Sequence, residues 1–341
     1  MTSSNADDLT LDEALAGLPE DFAFFRERWV SDLQPQLAEL EVQRVAAVEK
    51  SNRFRMFAAL GALLVGGGGF TIFHNPVPVV FGLVVGGMLW AWGEQDLKKL
   101  GEEAKLTLVH PVARQFDMIF NHIVQTPPVI SRLRNLGLVP SWDRAKFEDR
   151  LTGQRAGAPF EFFEAHLEEK RTTRDSKGRT STSWVTVFRG QCLAVTFPKQ
   201  FQGVTKVFRD SGMFNSLVGL GQTFGGRAER VRLEDPKFEK AFEVYSTDQI
   251  EARYILTPDF MERLTALEEV FHSKKLRCAF SGGEMFLAVE GENLFEPGSM
   301  RRPMDDHGRL RDILQDFAAV FLLIDAMSQR HTPDALRNSS S

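Results

Sequence analysis

The stretch FRMFAALGALLVGGGGFTIF, Phe54 to Phe73, followed by VPVVFGLVVGGMLWAWG, Val77 to Gly93, decides the fold. From Met56 to Gly93 there is no Asp, Glu, Lys or Arg. His74, Asn75, Pro76 and Pro78 divide the run near its middle. At about 1.5 Å per helical residue, the first part approaches the ~30 Å thickness of a bilayer's hydrocarbon core, and the second stands at the short end of the spanning range. The pattern predicts two membrane-spanning helices, about 54–73 and 77–93, joined by a tight turn. A buried hairpin in a soluble domain and one long broken span are the competing readings. The second would put the N-terminal part outside, against its own basic flank.

A hairpin places both ends on one side. Arg44, Lys50, Arg53 and Arg55 precede it, Lys98, Lys99 and Lys105 follow it, and the turn carries no Lys or Arg. The positive-inside rule therefore predicts both termini in the cytoplasm. Trp90 and Trp92 suit an interfacial belt. Gly82 and Gly86 form a small-xxx-small step for transmembrane packing, and Gly66 to Gly69 add further small residues, as close helix approach in lipid requires.

Working outward, Phe22, Phe25, Trp29, Leu33, Leu37, Leu40 and Ala47 keep helical spacing, with Pro35 expected to bend the helix. Thr10 and Glu13 form a capping-box pattern ahead of it. Beyond the second span, Leu97, Leu100, Leu108, Val112, Phe116, Ile119, Phe120 and Ile123 continue a helical stripe until Pro127 and Pro128. The two stripes predict an antiparallel, coiled-coil-like stalk over residues 21–126, each covering the other. Residues 1–20 read as a disordered start with a short helix.

The texture changes near Pro140. Phe160 to Lys170 reads as a strand, Ser183 to Phe197 as one long strand or as two broken at Gly190, and Gly203 to Phe208 as another. Glu234, Asp235 and Pro236 open a short helix, FEVYST is a strand, Thr247 caps the next helix, and Thr257 with Pro258 starts another. LRCAFSGGEMFLAVE is a hairpin turning at Ser281, Gly282 and Gly283. Leu310 to Met327 form a last helix, and a flexible tail occupies 329–341. Strands and helices without a βαβ repeat predict an α+β class: a two-span hairpin and stalk carrying a cytoplasmic sheet-and-helix domain over 140–328.

With 341 residues and a formal net charge of −5, bulk electrostatics does not announce a nucleic-acid binder. Cys192 and Cys278 make no metal or redox motif. The acidic first residues show no cleavable signal, so the first span is expected to act as an uncleaved anchor.

FRGQCLAVTFPKQFQGVTKVF, VRLEDPKFEKAFEVYSTDQIEARYILTPDFMERL and FLAVEGENLFEPG, between Val185 and Gly298, resemble the bacterial membrane proteins grouped as domain-of-unknown-function family 3137. The resemblance implies an inner-membrane protein with a cytoplasmic domain. It implies no catalytic residue. It also suggests a LemA-type membrane protein as a partner.

Candidate chemistry is sparse. Glu234, Asp235, Glu239, Asp248, Glu251 and Arg253 form the densest polar cluster, with Asp248 and Glu251 on one helix face. A metal or acid–base pair there would make the chain a membrane-tethered hydrolase; the alternative use of these groups is at helix starts. The histidines show no paired spacing, GLGQTFGG (Gly219 to Gly226) lacks the Lys-Ser/Thr of a phosphate loop, and GxSxG is absent. No catalytic, cofactor or metal set is expected. Arg171, Arg174, Lys177 and Arg179 crowd a hairpin tip that would face an anionic surface or remain solvated. Spans without ionisable residues offer no substrate path. The expected function is a membrane-anchored interaction module (adaptor, sensor or assembly factor) that contacts the bilayer, a protein partner or a second copy of itself, and no nucleic acid.

Overall fold

The computed structural model describes residues 9–174, 178–197, 199, 201–209, 228–270 and 276–328. The chain divides into two compact units, residues 1–111 with 295–315 and residues 112–294 with 316–341. The class is α+β.

The first unit is helical. Helix α1, Leu11–Leu15, begins at the expected capping box: the Thr10 amide donates to the Glu13 carboxylate at 2.8 Å and the Glu13 amide to the Thr10 hydroxyl at 3.3 Å. After α2, Phe25–Arg28, a π-turn spans Trp29–Leu33 and leads into α3, Gln34–Ala62. Pro35, which lacks an amide hydrogen, sits in the first turn of α3, so the expected irregularity falls in the turn just before it. A second π-turn, Leu63–Gly68, passes into α4, Gly69–Phe73. His74 adopts the left-handed conformation, and the Asn75 side chain accepts the Val77 amide at 3.0 Å, closing the tight turn into α5, Val77–Gly93. Two helical stretches, Glu20–Ile72 and Val77–Gln115, are long and apolar enough to cross a membrane by length and composition.

The α3 stripe is covered partly by residues remote in sequence. The Trp29 and His307 rings lie 5.0 Å apart, the Glu41 carboxylate accepts the Met304 amide at 2.8 Å, and Arg44 donates to the carbonyls of Met300 and Arg301 at 3.4 Å. Lys105, buried, reaches Glu296 at 3.4 Å. Arg44 and Lys105, read as flanking charges, thus hold the 295–309 segment in place. Arg309 anchors that segment, its buried guanidinium donating to the carbonyls of Pro297, Ser299, Arg302 and Pro303.

Helix α6 covers Gln95–Gln115 and no more. The expectation that its stripe runs on through Ile123 is corrected. The Asp117 amide bonds to the Arg114 carbonyl at 3.1 Å, and the Met118 amide to the Ala113 carbonyl at 2.9 Å, with Asp117 at φ 53°. This is the terminating pattern usually made by glycine. Strand β1, Ile119–Ile123, follows.

The second unit is built on an antiparallel sheet. Its strands are β1, β2 (Arg144–Arg155), β3 (Ala158–Arg174), β4 (Thr180–Thr196), β5 (Thr205–Arg209), β6 (Glu229–Val231), β7 (Phe242–Ser246), β8 (Leu276–Ser281) and β9 (Glu284–Glu290). Among the described residues the order is β1-β2-β3-β4-β9-β8-β5-β7-β6. Short helix α7, Ile130–Asn135, packs Ile130 and Leu133 with Leu138, Phe147, Phe163, Phe188, Cys192 and Phe286 on one face. Phe197, Phe260 and Phe280 meet edge-to-face at 5.1–6.0 Å, a geometry that suits aromatic quadrupoles. Gly190 does not break β4: a Cβ there would lie 2.0 Å from the Val289 carbonyl oxygen, so glycine permits the close β4–β9 pairing. The β8–β9 hairpin turns through Gly282 and Gly283 at φ 62° and 75°, as predicted. Helices α8 (Pro236–Ala241), α9 (Gln249–Ile255), α10 (Pro258–Val270) and α11 (His307–Ser328) complete the elements. The GLGQTFGG loop, residues 1–8 and the tail from 329 lie outside the described residues.

Candidate functional site

Asp235, Glu239, Asp248 and Glu251 are engaged with backbone. Asp235 caps α8, accepting the amides of Lys237 at 2.8 Å and Phe238 at 3.2 Å. Glu239 accepts the Leu233 amide at 2.8 Å. Asp248, rather than Thr247, caps α9, accepting the amides of Ile250 at 2.8 Å and Glu251 at 3.0 Å. Thr247 instead accepts the Val204 amide at 2.9 Å. Glu251 turns to the chain before β5, accepting Gln202 and Gly203 amides at 2.9 and 2.6 Å. Arg253 donates to the carbonyls of Gln249 at 3.0 Å and Arg232 at 3.3 Å. Glu234 is exposed. Acids at helix starts satisfy orphan amides and oppose the helix dipole. Among the described residues no three His, Cys, Asp or Glu side chains gather as metal ligands.

Gly82 and Gly86 are buried between α3 and α5. Their faces meet Ala58, Ala62 and Gly66, so the small-residue step has a small-residue counterpart on the opposite helix. Outward, Leu63, Leu64, Ile72, Phe81, Leu83 and Met88 are exposed.

The basic residues occupy a two-stranded ribbon. Strand β2 pairs with β3 only as far as Glu168, and β9 pairs with β4 only from Gly190, whereas β3 and β4 stay paired out to Arg174 and Thr180. Lys170, Arg171, Arg174 and Arg179 are exposed there; Lys177 lies outside the described residues. Arg171 is paired with Glu169 at 3.1 Å.

Two features had no sequence signal strong enough to find them. The β2–β3 register shifts between Glu148 and Leu151, and Asp149 sits in that bulge at φ 54° with its side chain fully buried. His122 Nδ1 lies 3.2 Å from Asp149 Oδ1. Bulges often re-aim side chains beside sites. Here His122 borders an open groove of about 800 Å³, lined also by Val124, Thr126, Trp142, Lys146 and Phe147, while Asp149 lies buried behind it. A carboxylate so placed fixes the imidazole's orientation and leaves Nε2 for a ligand. The second feature is Lys206 on β5, which is buried beside Tyr245 and Ala279 in register; burial pushes its ammonium down to about 8. A lysine in a short alternating strand is ordinarily read as solvent-facing. His122 and Asp149 stand far apart in sequence, and only the strand register joins them.

Residues 186–329 match the model of a family described as "Protein of unknown function (DUF3137)". That meets the resemblance carried by the 185–298 segments and takes in most of β4, strands β5–β9 and α11. The family description names no activity and hence no catalytic residue. No curated protein matches the sequence. Among solved structures, the crystal structure of the mycobacterial trehalose monomycolate transport factor A, TtfA, aligns at 10% identity and a TM-score of 0.31. The alignment covers 63% of this chain and 94% of that one. At that distance the likeness carries no argument about fold or function.

Proposed function

We propose that the chain is a membrane-anchored interaction module of the bacterial inner membrane. The α3–α5 hairpin spans the bilayer, both termini lie in the cytoplasm, and the sheet unit engages a protein partner. The observation that carries this reading is the hairpin's surface. Its inner face is glycine and alanine, while Leu63, Leu64, Ile72, Phe81, Leu83 and Met88 point outward over a charge-free length. An exposed apolar surface of that extent needs lipid or protein to cover it. Orientation is argued from Lys50, Arg53, Arg55, Lys98 and Lys99 at the open end and a turn without Lys or Arg. A LemA-type membrane protein is the partner suggested by the family resemblance, and a second copy of the chain is another. Adaptor, sensor and assembly roles all fit a module in which Asp235 and Asp248 are used as helix caps and Glu239 and Glu251 hold backbone amides.

Reporter fusions after Ser4, after Asn75 and at Ser341 test the topology. The expected readings are cytoplasm, periplasm and cytoplasm. A periplasmic reading at either terminus overturns it. Mild-detergent co-purification then asks which protein accompanies the intact chain.

A further inference from the structure

The β3–β4 ribbon has two chemically different faces. The register pairs Lys170 with Trp184, Thr172 with Thr182, and Arg174 with Thr180, which puts these residues on one face. Glu169 with Val185, Arg171 with Ser183, and Thr173 with Ser181 make the other. On the second face Arg171 is neutralised by Glu169. Beside the first, the acids at the base are Glu168, to which Arg144 bonds at 2.6 Å, and Asp143, whose carboxylate accepts the Lys170 amide at 2.8 Å. Arg144 also lies 4.5 Å from the centroid of the Trp184 ring, which is 42% exposed. The sequence alone showed no aromatic beside the basic tip; the register supplies one.

We propose that this Trp184–Lys170–Arg174 face docks on the anionic headgroups of the bilayer that holds the hairpin. The inference rests on the membrane-anchored reading above. Its chemistry is that of an interfacial contact: an amphipathic indole for the headgroup level, two exposed bases for phosphates, and threonine hydroxyls between them. The face is cationic although the chain as a whole is acidic, so the attraction is local and complementary to an anionic surface. The six residues from Glu169 to Arg174 extend beyond the flanking strands by roughly 20 Å at ~3.3 Å per residue, enough to reach past the body of the sheet. An acidic polypeptide is the rival occupant. It would use the bases but gain little from a tryptophan flanked by threonines, whereas a bilayer interface uses both.

The experiment uses the full chain carrying Thr182→Cys, labelled with an environment-sensitive fluorophore. Cys192 and Cys278 are fully buried and do not compete for the label. The protein is reconstituted into liposomes of phosphatidylcholine alone or with phosphatidylglycerol, each with and without nitroxide-labelled lipid. The expected result is blue-shifted emission and nitroxide quenching in the anionic liposomes only. Both should be reversed as salt is raised from 0.1 to 0.5 M and the Debye length contracts. Lys170→Gln with Arg174→Gln should lower the docked-to-undocked ratio roughly thirtyfold, since each base near such a surface is worth about fivefold. Trp184→Ala should reduce quenching with the bases intact. Identical emission and quenching in the two lipids overturns the proposal. A response to soluble polyglutamate without any response to phosphatidylglycerol also overturns it, and assigns the face to an acidic polypeptide. Failure of the chain to float with neutral liposomes would strike at the hairpin reading instead, because flotation there does not depend on the ribbon.

Discussion

Gly82 meets Gly66 across the hairpin so closely that a Cβ on Gly82 would stand 2.9 Å from the Gly66 nitrogen and 3.0 Å from the Ala62 carbonyl oxygen. Those atoms are helix backbone and cannot step aside without separating α3 from α5. Gly82→Leu should therefore destabilise the helical unit by about 2 kcal/mol or more, in the range seen for overpacking. A Cβ on Gly87 would meet nothing within 4 Å, so that position serves as the control. Thermal unfolding followed by helical circular dichroism in lipid nanodiscs should show a lowered midpoint for Gly82→Leu and an unchanged one for Gly87→Leu. Equal midpoints would remove close approach as the reason for the glycine.

At the open end of the hairpin, Glu94 ties three parts of the helical unit together. It accepts from the Ser51 hydroxyl at 2.5 Å, from Arg55 at 3.0 Å and from Arg301 at 3.3 Å. Arg301 also reaches Asn52 at 3.1 Å. Burial works to raise the Glu94 carboxyl, but the Ser51 and Arg55 hydrogen bonds and the Arg55 and Arg301 charges outweigh it and hold it below its ordinary value. A lowered carboxylate contributes stability above its unfolded pKa of ~4.3 and loses it as pH falls through the lower folded value. Arg301→Ala and Glu94→Gln should each speed hydrogen exchange in residues 296–304 at pH 7. The double variant should add less than the sum, with a coupling of about 0.5–1 kcal/mol because the pair is partly exposed and screened. Strict additivity would mean the two side chains do not act together. In acid, exchange in the wild-type segment should approach that of Glu94→Gln.

The parts of the fold legible in sequence are those set by local chemistry. A charge-free run marks the hairpin, Thr10 and Glu13 mark a helix start, Asp235-Pro236 marks another, and Gly282-Gly283 marks a two-residue turn. What escaped depends on partners distant along the chain. The α6 stripe reads as unbroken to Ile123 only if Asp117 is denied the left-handed role that ends the helix. Strand β2 reads as polar because its charges are matched across strands: Arg150 meets Glu161 at 2.8 Å and Arg144 meets Glu168 at 2.6 Å. The 295–309 segment looks like a loop, and nothing local indicates that Arg44 and Glu41 will receive it. In the same way, the carboxylates of 234–253 are visible as a cluster in sequence, while their use is visible only once Glu251 is seen on the Gln202 and Gly203 amides.

Lys206 supports a prediction whose sign follows from its burial. The ammonium is held at about 8, below the ordinary lysine value, because burial disfavours the charged form. Below about pH 8 both folded and unfolded chains are protonated, and the fold carries the full penalty of a buried charge. Between about 8 and 10.5 the folded protein gives up its proton while the unfolded chain keeps it, so stability rises with pH across that window. Above the window the penalty is gone. Lys206→Met keeps the length of the side chain and removes the titration. Denaturant unfolding of wild type and variant, followed by a probe on the sheet, should be compared at pH 7, 8, 9 and 10. The difference isolates this residue from the other lysines and tyrosines that titrate in the same range. The wild type should be the less stable of the two at pH 7, by on the order of 2–3 kcal/mol at most, and should close the gap as pH rises. A difference that stays flat from pH 8 to 10 would show that Lys206 keeps an ordinary lysine's proton affinity inside the sheet.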